Sequence, residues 1–328
     1  MENNRDAFAS VSRGTKKTFQ HCPTQYATLG GIETLVTAVE CENPIMTAHF
    51  VKGFKSSPFL YEQLLEDLVE NNINVILVTL PDPLDEIDFF KDYEKLAKAV
   101  YIDGELDNYI ESNAPLFAAN HSTGGFLLTK LLMDEDNAET FKQRYEGALF
   151  ASPFYGSAYH RSGILAPVAK LYSRIFSESA VGTTWLERQF LKATNATQSE
   201  EDMKEIANHR QALYMNGPTK KLMDDIRKTG FPDTIKDMPI SFVLGRQDQV
   251  SYNLLSHEVA GALHADIRTL EGGHSQHRKR KFARDFIINH ITSHTQDIQT
   301  PAAIQTVAPP ANDNHAFDAP ERTPGGPV

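Results

Sequence analysis

Cysteine is scarce in this chain: Cys22 and Cys41 are the two present in 328 residues. Two thiols make no disulfide framework, and they are expected to be free in a reducing cytosol. Long apolar runs are lacking as well. No stretch approaches the roughly 20 residues that span a bilayer, and the opening Met1-Glu2-Asn3-Asn4-Arg5-Asp6 has no apolar core of a secretory signal. A cytoplasmic location is therefore expected. A surplus of basic residues is missing too: 32 Lys and Arg stand against 43 Asp and Glu, a net charge of −11. That balance argues against a nucleic-acid partner. The hydrophobic fraction of 41% is ordinary for a soluble globule, and the length suits one α/β domain with an insertion, or two modest domains.

What is there is an alternation of strands and helices. Residues 1–22 are polar and patternless and read as a flexible arm. Tyr26 to Thr37 reads as two short strands around Gly30-Gly31. Ile45 to Val51 is a buried strand, followed by a helix with Tyr61, Leu64, Leu65, Leu68 and Val69 on one face. Ile73 to Leu80 is the next strand, and Phe89 to Val100 the next helix, with a second helix expected past Gly104 to Glu111. After a central strand and helix near residue 120, Gly147 to Ser152 is again strand-like. The pattern predicts a mostly parallel sheet flanked by helices, an α/β architecture.

Residues 154–234 break this rhythm with four helical stretches, 164–176, 184–193, 200–214 and 219–229, and read as a helical cap inserted over the sheet edge. The alternation resumes with a strand at Pro239–Gly245, a helix at 252–263 and a strand at 265–270. A last helix at 276–294 has Phe282, Phe286, Ile287 and Ile291 as its inner face. The core is thus expected over 23–153 and 235–294, and residues 295–328, rich in Pro, Ala, Asn and Gly, read as a disordered tail.

The centre of the sequence is Pro115-Leu116-Phe117-Ala118-Ala119-Asn120-His121-Ser122-Thr123-Gly124-Gly125-Phe126. An apolar strand runs into a serine, two glycines follow, and a helix begins. A serine at such a strand–helix turn sits in a strained backbone conformation that pushes its hydroxyl outward. The glycines let strand and helix approach, and the free N–H groups at the helix start favour developing negative charge. The stretch resembles the G-x-S-x-G elbow of α/β-hydrolases, with Asn120 where the first glycine would stand.

A nucleophilic serine needs a base, and the base needs an orienting carboxylate. Asp248 follows the 239–245 strand, and His274 follows the 265–270 strand behind Gly272 and Gly273. The order Ser122, Asp248, His274 is that of α/β-hydrolases. Gly53, Ser122, Ser152 and Asp248 each fall just after a predicted strand, so they should gather at one sheet edge.

Over about residues 24–294 the chain resembles the lysophospholipase and monoacylglycerol-lipase branch of the α/β-hydrolases, a group that also contains serine-aminopeptidase-like members. The resemblance implies Ser122 as nucleophile, His274 as general base and then acid, and Asp248 as its orienter. It implies an oxyanion hole from the backbone N–H groups of Phe54 and Thr123, and Tyr61 matches the family's tyrosine downstream of that loop. Lys52 replaces the family's histidine, and Leu80-Pro81-Asp82-Pro83-Leu84 replaces its Asp-x-x-Gly-His-Gly loop.

The resulting expectation is a cofactor-free serine hydrolase acting on a small-molecule acyl ester, a single-chain lipid of lysophospholipid or monoacylglycerol type. An aminopeptidase or amidase on the same triad is the alternative, as is a non-catalytic binding protein on the same scaffold. Asp266 is the rival carboxylate. His121 reads as a residue that packs behind the site, and His257-Glu258 as surface helix. His274 and His277 lack an acidic or cysteine partner at metal spacing, so no metal is expected. The run His277-Arg278-Lys279-Arg280-Lys281 reads as the solvated start of the last helix, with weak peripheral membrane contact through anionic head groups as the sharper alternative. Oligomeric state is not legible here.

Overall fold

The computed structural model describes residues 24–53, 58–80, 89–156, 216–248 and 251–299. Eight strands form one sheet: β1 (Thr24–Leu29), β2 (Ile32–Val39), β3 (Met46–Val51), β4 (Ile73–Thr79), β5 (Leu116–His121), β6 (Tyr145–Ala151), β7 (Ile240–Gly245) and β8 (Asp266–Leu270). Their spatial order is β1-β2-β4-β3-β5-β6-β7-β8. β2 runs antiparallel to β1 and β4, and every other pairing is parallel. The β1–β2 turn uses Gly30 and Gly31 at φ 58° and 78°, a region that only glycine enters without cost.

Every residue of β3, β4 and β7 is buried, because parallel strands are covered on both faces. One face packs on α1 (Glu62–Glu70), through Leu64, Leu65 and Leu68, and on α9 (Lys281–Gln299), through Ile287, Ile288 and Ile291. The other packs on α2 (Phe89–Tyr101), α3 (Thr123–Leu131), α4 (Glu135–Arg144) and α7 (Asn253–Ala262). The same core takes Leu222, Met223 and Ile226 of α5 (Asn216–Thr229), the last helix of the expected insertion. Short helices α6 (Asp233–Lys236) and α8 (Gln276–Lys279) complete the described residues.

Strand register places the functional edge. Val51 pairs with Asn120, His121 with Ala151, Ala151 with Val243, and Gly245 with Leu270. The chain segments that follow these strands therefore leave the sheet side by side.

Several expectations are corrected. Residues 105–111 form turns, not a helix. Gly104, at φ 72°, ends the preceding helical run, and Glu105 turns back to accept the Gly30 N–H at 2.9 Å. Helix α4 has its signal in Asp134, whose carboxylate caps the Asn137 N–H. The last helix is broken at Arg280, which is extended; Ile287 and Ile291 are buried as expected and Phe286 packs against the same core, but Phe282 is 46% exposed and Ala283 and Ile288 are buried beside them. α9 continues to Gln299, five residues into the expected tail. His277 and Arg278 are buried, not solvated. Arg284 instead reaches across to Asp67 of α1 at 2.6 Å. Residues 1–22, the expected helices at 164–176, 184–193 and 200–214, and residues 300–328 lie outside the described residues. Among the described residues no helix is long and apolar enough to cross a membrane.

Asn120 also finds its physical account here. It is fully buried in β5, and its amide oxygen accepts a hydrogen bond from the Tyr101 hydroxyl of α2. Burial raises the Tyr101 pKa well above its ordinary value, so the phenol stays a donor. Tyr101→Phe is expected to strand the buried amide oxygen at about 1–3 kcal/mol. The check is the urea midpoint, which should fall without a change in slope. An unchanged midpoint would mean the pair contributes nothing.

Candidate active site

The site begins with backbone strain. Ser122 has φ 54° and ψ −115°, directly before α3. A non-glycine residue there costs about 1–3 kcal/mol, so surrounding contacts must hold it. They do: the Ser122 N–H donates to the Ala151 carbonyl at 3.2 Å, and its carbonyl accepts from Gly125, Phe126 and Phe154 at 3.1, 3.3 and 3.0 Å. The glycines are required by contact. A Cβ on Gly124 would lie 2.3 Å from the Val51 carbonyl oxygen, and one on Gly125 would lie 2.7 Å from Pro153. The clash confines these positions to glycine, as the strand–helix approach demanded.

Gly53 packs against this serine: a Cβ there would come within 2.8 Å of Ser122 Cβ and 3.4 Å of its hydroxyl oxygen. Backbone, not side chain, thus faces the hydroxyl from the β3 side. Thr123 supplies the first N–H of α3. Phe54 lies outside the described residues.

Asp248 and His274 come from neighbouring loops stitched by main-chain bonds. Arg246 N–H donates to the Leu270 carbonyl at 2.8 Å and Gln247 N–H to that of Gly272 at 2.9 Å. Gly245 leaves room for both glycine carbonyls, since its Cβ would sit 2.6 and 2.5 Å from the oxygens of Gly272 and Gly273. The result is a 2.9 Å contact between His274 Nδ1 and Asp248 Oδ2, with the carboxylate side chain 0% exposed. A neutral imidazole there holds its proton on Nδ1, which leaves Nε2 as the acceptor. The rival Asp266 sits exposed at the start of β8.

Ser251 was not singled out by the sequence. Its N–H donates to Asp248 Oδ1 at 2.9 Å, and its hydroxyl lies 3.4 Å from both His274 Nδ1 and the Ser152 carbonyl. The available signal was its place three residues after an aspartate, the spacing of a side-chain-capped turn. Asp248 therefore caps a turn through Oδ1 and meets His274 through Oδ2.

Ser122 and His274 are brought to the same edge without a hydrogen bond between them. Their link is His121, whose ring centroid lies 4.8 Å from that of His274. Its Nε2 bonds the His274 carbonyl at 3.2 Å and its Nδ1 the Tyr61 hydroxyl at 2.8 Å. His277 packs on its far side with centroids 4.2 Å apart. Lys52 is fully buried beside Gly53.

No protein-family model matches the sequence, and no curated protein matches it. Solved structures match in fold. A soluble variant of monoglyceride lipase from Saccharomyces cerevisiae, in complex with a substrate analogue, superposes with a TM-score of 0.60 at 13% identity, over 88% of this chain and 99% of that one. The chain has the α/β-hydrolase fold. Paleococcus ferrophilus monoacylglycerol lipase agrees, with a TM-score of 0.53 at 15% identity over 80% of this chain and 100% of that one. So does a thermostable carboxyl esterase from Bacillus coagulans, at 0.52 and 15%, over 84% and 99%.

Electrostatically, the chain carries neutral histidines in its interior. Burial pushes His49 down to about 4 and His277 to about 3, and His121 well below its ordinary 6.5. In each case the unfolded ring binds a proton that the folded ring refuses. Their contribution is present above about pH 6.5 and is lost as pH falls toward 4. At pH 5 His49 and His277 each cost on the order of 2 kcal/mol, so the two together approach the lower end of a domain's whole stability, and His121 acts in the same direction. Urea unfolding at pH 7 and pH 5 should show a steep drop in midpoint. A flat midpoint would mean that these rings are hydrated in the folded chain.

Glu258, beside His257, pairs with Arg227 at 2.5 and 2.8 Å on the surface. Among the described residues no group of three His, Cys, Asp or Glu is arranged to hold a metal.

Proposed function

We propose that the chain is a serine hydrolase of carboxylic esters, with Ser122, His274 and Asp248 as its triad. The observation that carries this reading is the buried Asp248–His274 pair, 2.9 Å apart, at the same sheet edge as a serine held at φ 54°. Ser122 Oγ attacks the ester carbonyl carbon while His274 Nε2 takes its proton, and Asp248 stabilises the imidazolium. The oxyanion accepts from the Thr123 N–H and, in this reading, from that of Phe54; each donor is worth about 2.7–4 kcal/mol of barrier. The tetrahedral intermediate expels the alcohol, which receives the proton from His274. Water, deprotonated by the same histidine, then attacks the acyl-enzyme and releases the acid. The serine–histidine bond that this requires is of the kind that tightens when substrate is bound.

For the substrate, the monoglyceride lipase and monoacylglycerol lipase neighbours favour a single acyl chain. Residues 154–234 serve as the cap in this reading and would line the acyl site with residues such as Ile164, Leu171, Trp185 and Phe190. Each methylene buried adds about 0.8 kcal/mol. kcat/KM across p-nitrophenyl esters should therefore rise from acetyl to at least octanoyl. A monotonic fall from acetyl would remove the lipid reading. Faster turnover of aminoacyl anilides would favour the amidase.

A further inference from the structure

We infer that His121, the residue before the serine, is a positioning residue that locks the nucleophile elbow, the histidine loop and the Tyr61 segment into one geometry. The inference rests on the hydrolase reading and adds to it a residue that touches neither substrate nor the reacting atoms.

The partners determine the His121 tautomer. A carbonyl oxygen only accepts, so the 3.2 Å contact with the His274 carbonyl places the proton on Nε2. The ring is neutral: burial, before any neighbouring group, holds its pKa well below 6.5. Nδ1 is therefore bare and accepts the Tyr61 O–H at 2.8 Å. Both nitrogens are used, each in one direction.

The need for such a lock follows from the loops it joins. His274 comes after Gly272-Gly273, with Gly272 at φ 135°, a backbone with unusual freedom. Asp248 orients the His274 ring but does not fix its backbone. The His274 carbonyl is held by the ring of the residue covalently next to Ser122, so base and nucleophile move together. Tyr61 is itself fixed, its ring 5.5 Å from Phe50, 5.8 Å from His277 and 5.4 Å beneath the Arg278 guanidinium. Catalytic groups must be held to within about half an ångström, and a shift of about 1 Å can cost on the order of 10²-fold.

The experiment measures kcat and KM with p-nitrophenyl octanoate, counting active sites by fluorophosphonate labelling so that rates are per competent molecule. His121→Leu should lower kcat per labelled site about 10²-fold with KM within about two-fold. His121→Gln, whose amide can still donate to the His274 carbonyl, should restore at least part of that loss. Tyr61→Phe, the mildest change, should keep the fold and lower kcat with KM unchanged. If His121→Leu lowers only the melting temperature while kcat per site stays within about two-fold, His121 merely packs and the inference fails. If His121→Leu does not fold, Tyr61→Phe decides, and an unchanged kcat overturns the inference. A wild-type chain that neither labels nor turns over overturns the hydrolase reading itself, and this inference with it.

Discussion

Ser122→Ala is expected to lower kcat by about 10⁶-fold and to abolish fluorophosphonate labelling. The size follows from the triad's acting as a unit, so that losing the nucleophile forfeits the base and its orienter as well. The fold should survive. Ser122 is held at φ 54° through its main chain, by bonds from Gly125, Phe126 and Phe154 to its carbonyl, and alanine keeps that carbonyl. Circular dichroism and melting temperature should therefore match the parent chain. Labelling that persists in the variant would place the nucleophile elsewhere. Ser152, buried at φ 43° at the end of the adjacent strand, would be the first to test.

Asp248→Asn should cost about 10⁴-fold in kcat. An asparagine oxygen can still accept the Ser251 N–H now held by Asp248 Oδ1 at 2.9 Å, so the turn and the fold remain. Its amide nitrogen then faces His274 Nδ1 and favours the tautomer with the proton on Nε2, which cannot deprotonate Ser122. The imidazolium also loses its counter-charge in a place closed to solvent. Asp266→Asn, on the exposed start of β8, should leave kcat within about two-fold, because that carboxylate is not the one at His274. A damaging Asp266→Asn beside a mild Asp248→Asn would reverse the assignment.

The strands of this fold were legible because buried parallel strands are short continuous apolar runs, and Met46–Val51, Ile73–Thr79 and Ile240–Gly245 are of that kind. The elbow was legible because two steric demands coincide at Gly124 and Gly125. Less legible was the last helix. The basic run from His277 to Lys281 looked solvated, yet the break at Arg280 sends His277 and Arg278 inward and turns Phe282 out. Periodicity is blind to a single extended residue: the break ends one short helix and starts another, so Phe282 in the first turn faces out while Ile287 and Ile291 keep the expected inner face.

By itself the sequence determined the α/β alternation, the position of Ser122 at a strand–helix turn, and the order of serine, acid and histidine. These follow from local period, local sterics and chain order. Which carboxylate meets His274 was decided in three dimensions, by main-chain bonds between loops more than 20 residues apart in the sequence (Gln247 N–H to the Gly272 carbonyl, 2.9 Å). So was the partner of Asn120, a tyrosine 19 residues away on a different element. The work of His121 was decided there too, since its two hydrogen-bond partners lie 60 and 153 residues away. A hydrogen bond is directional and reaches about 3 Å, so groups far apart in the chain become partners only once packing has brought them together.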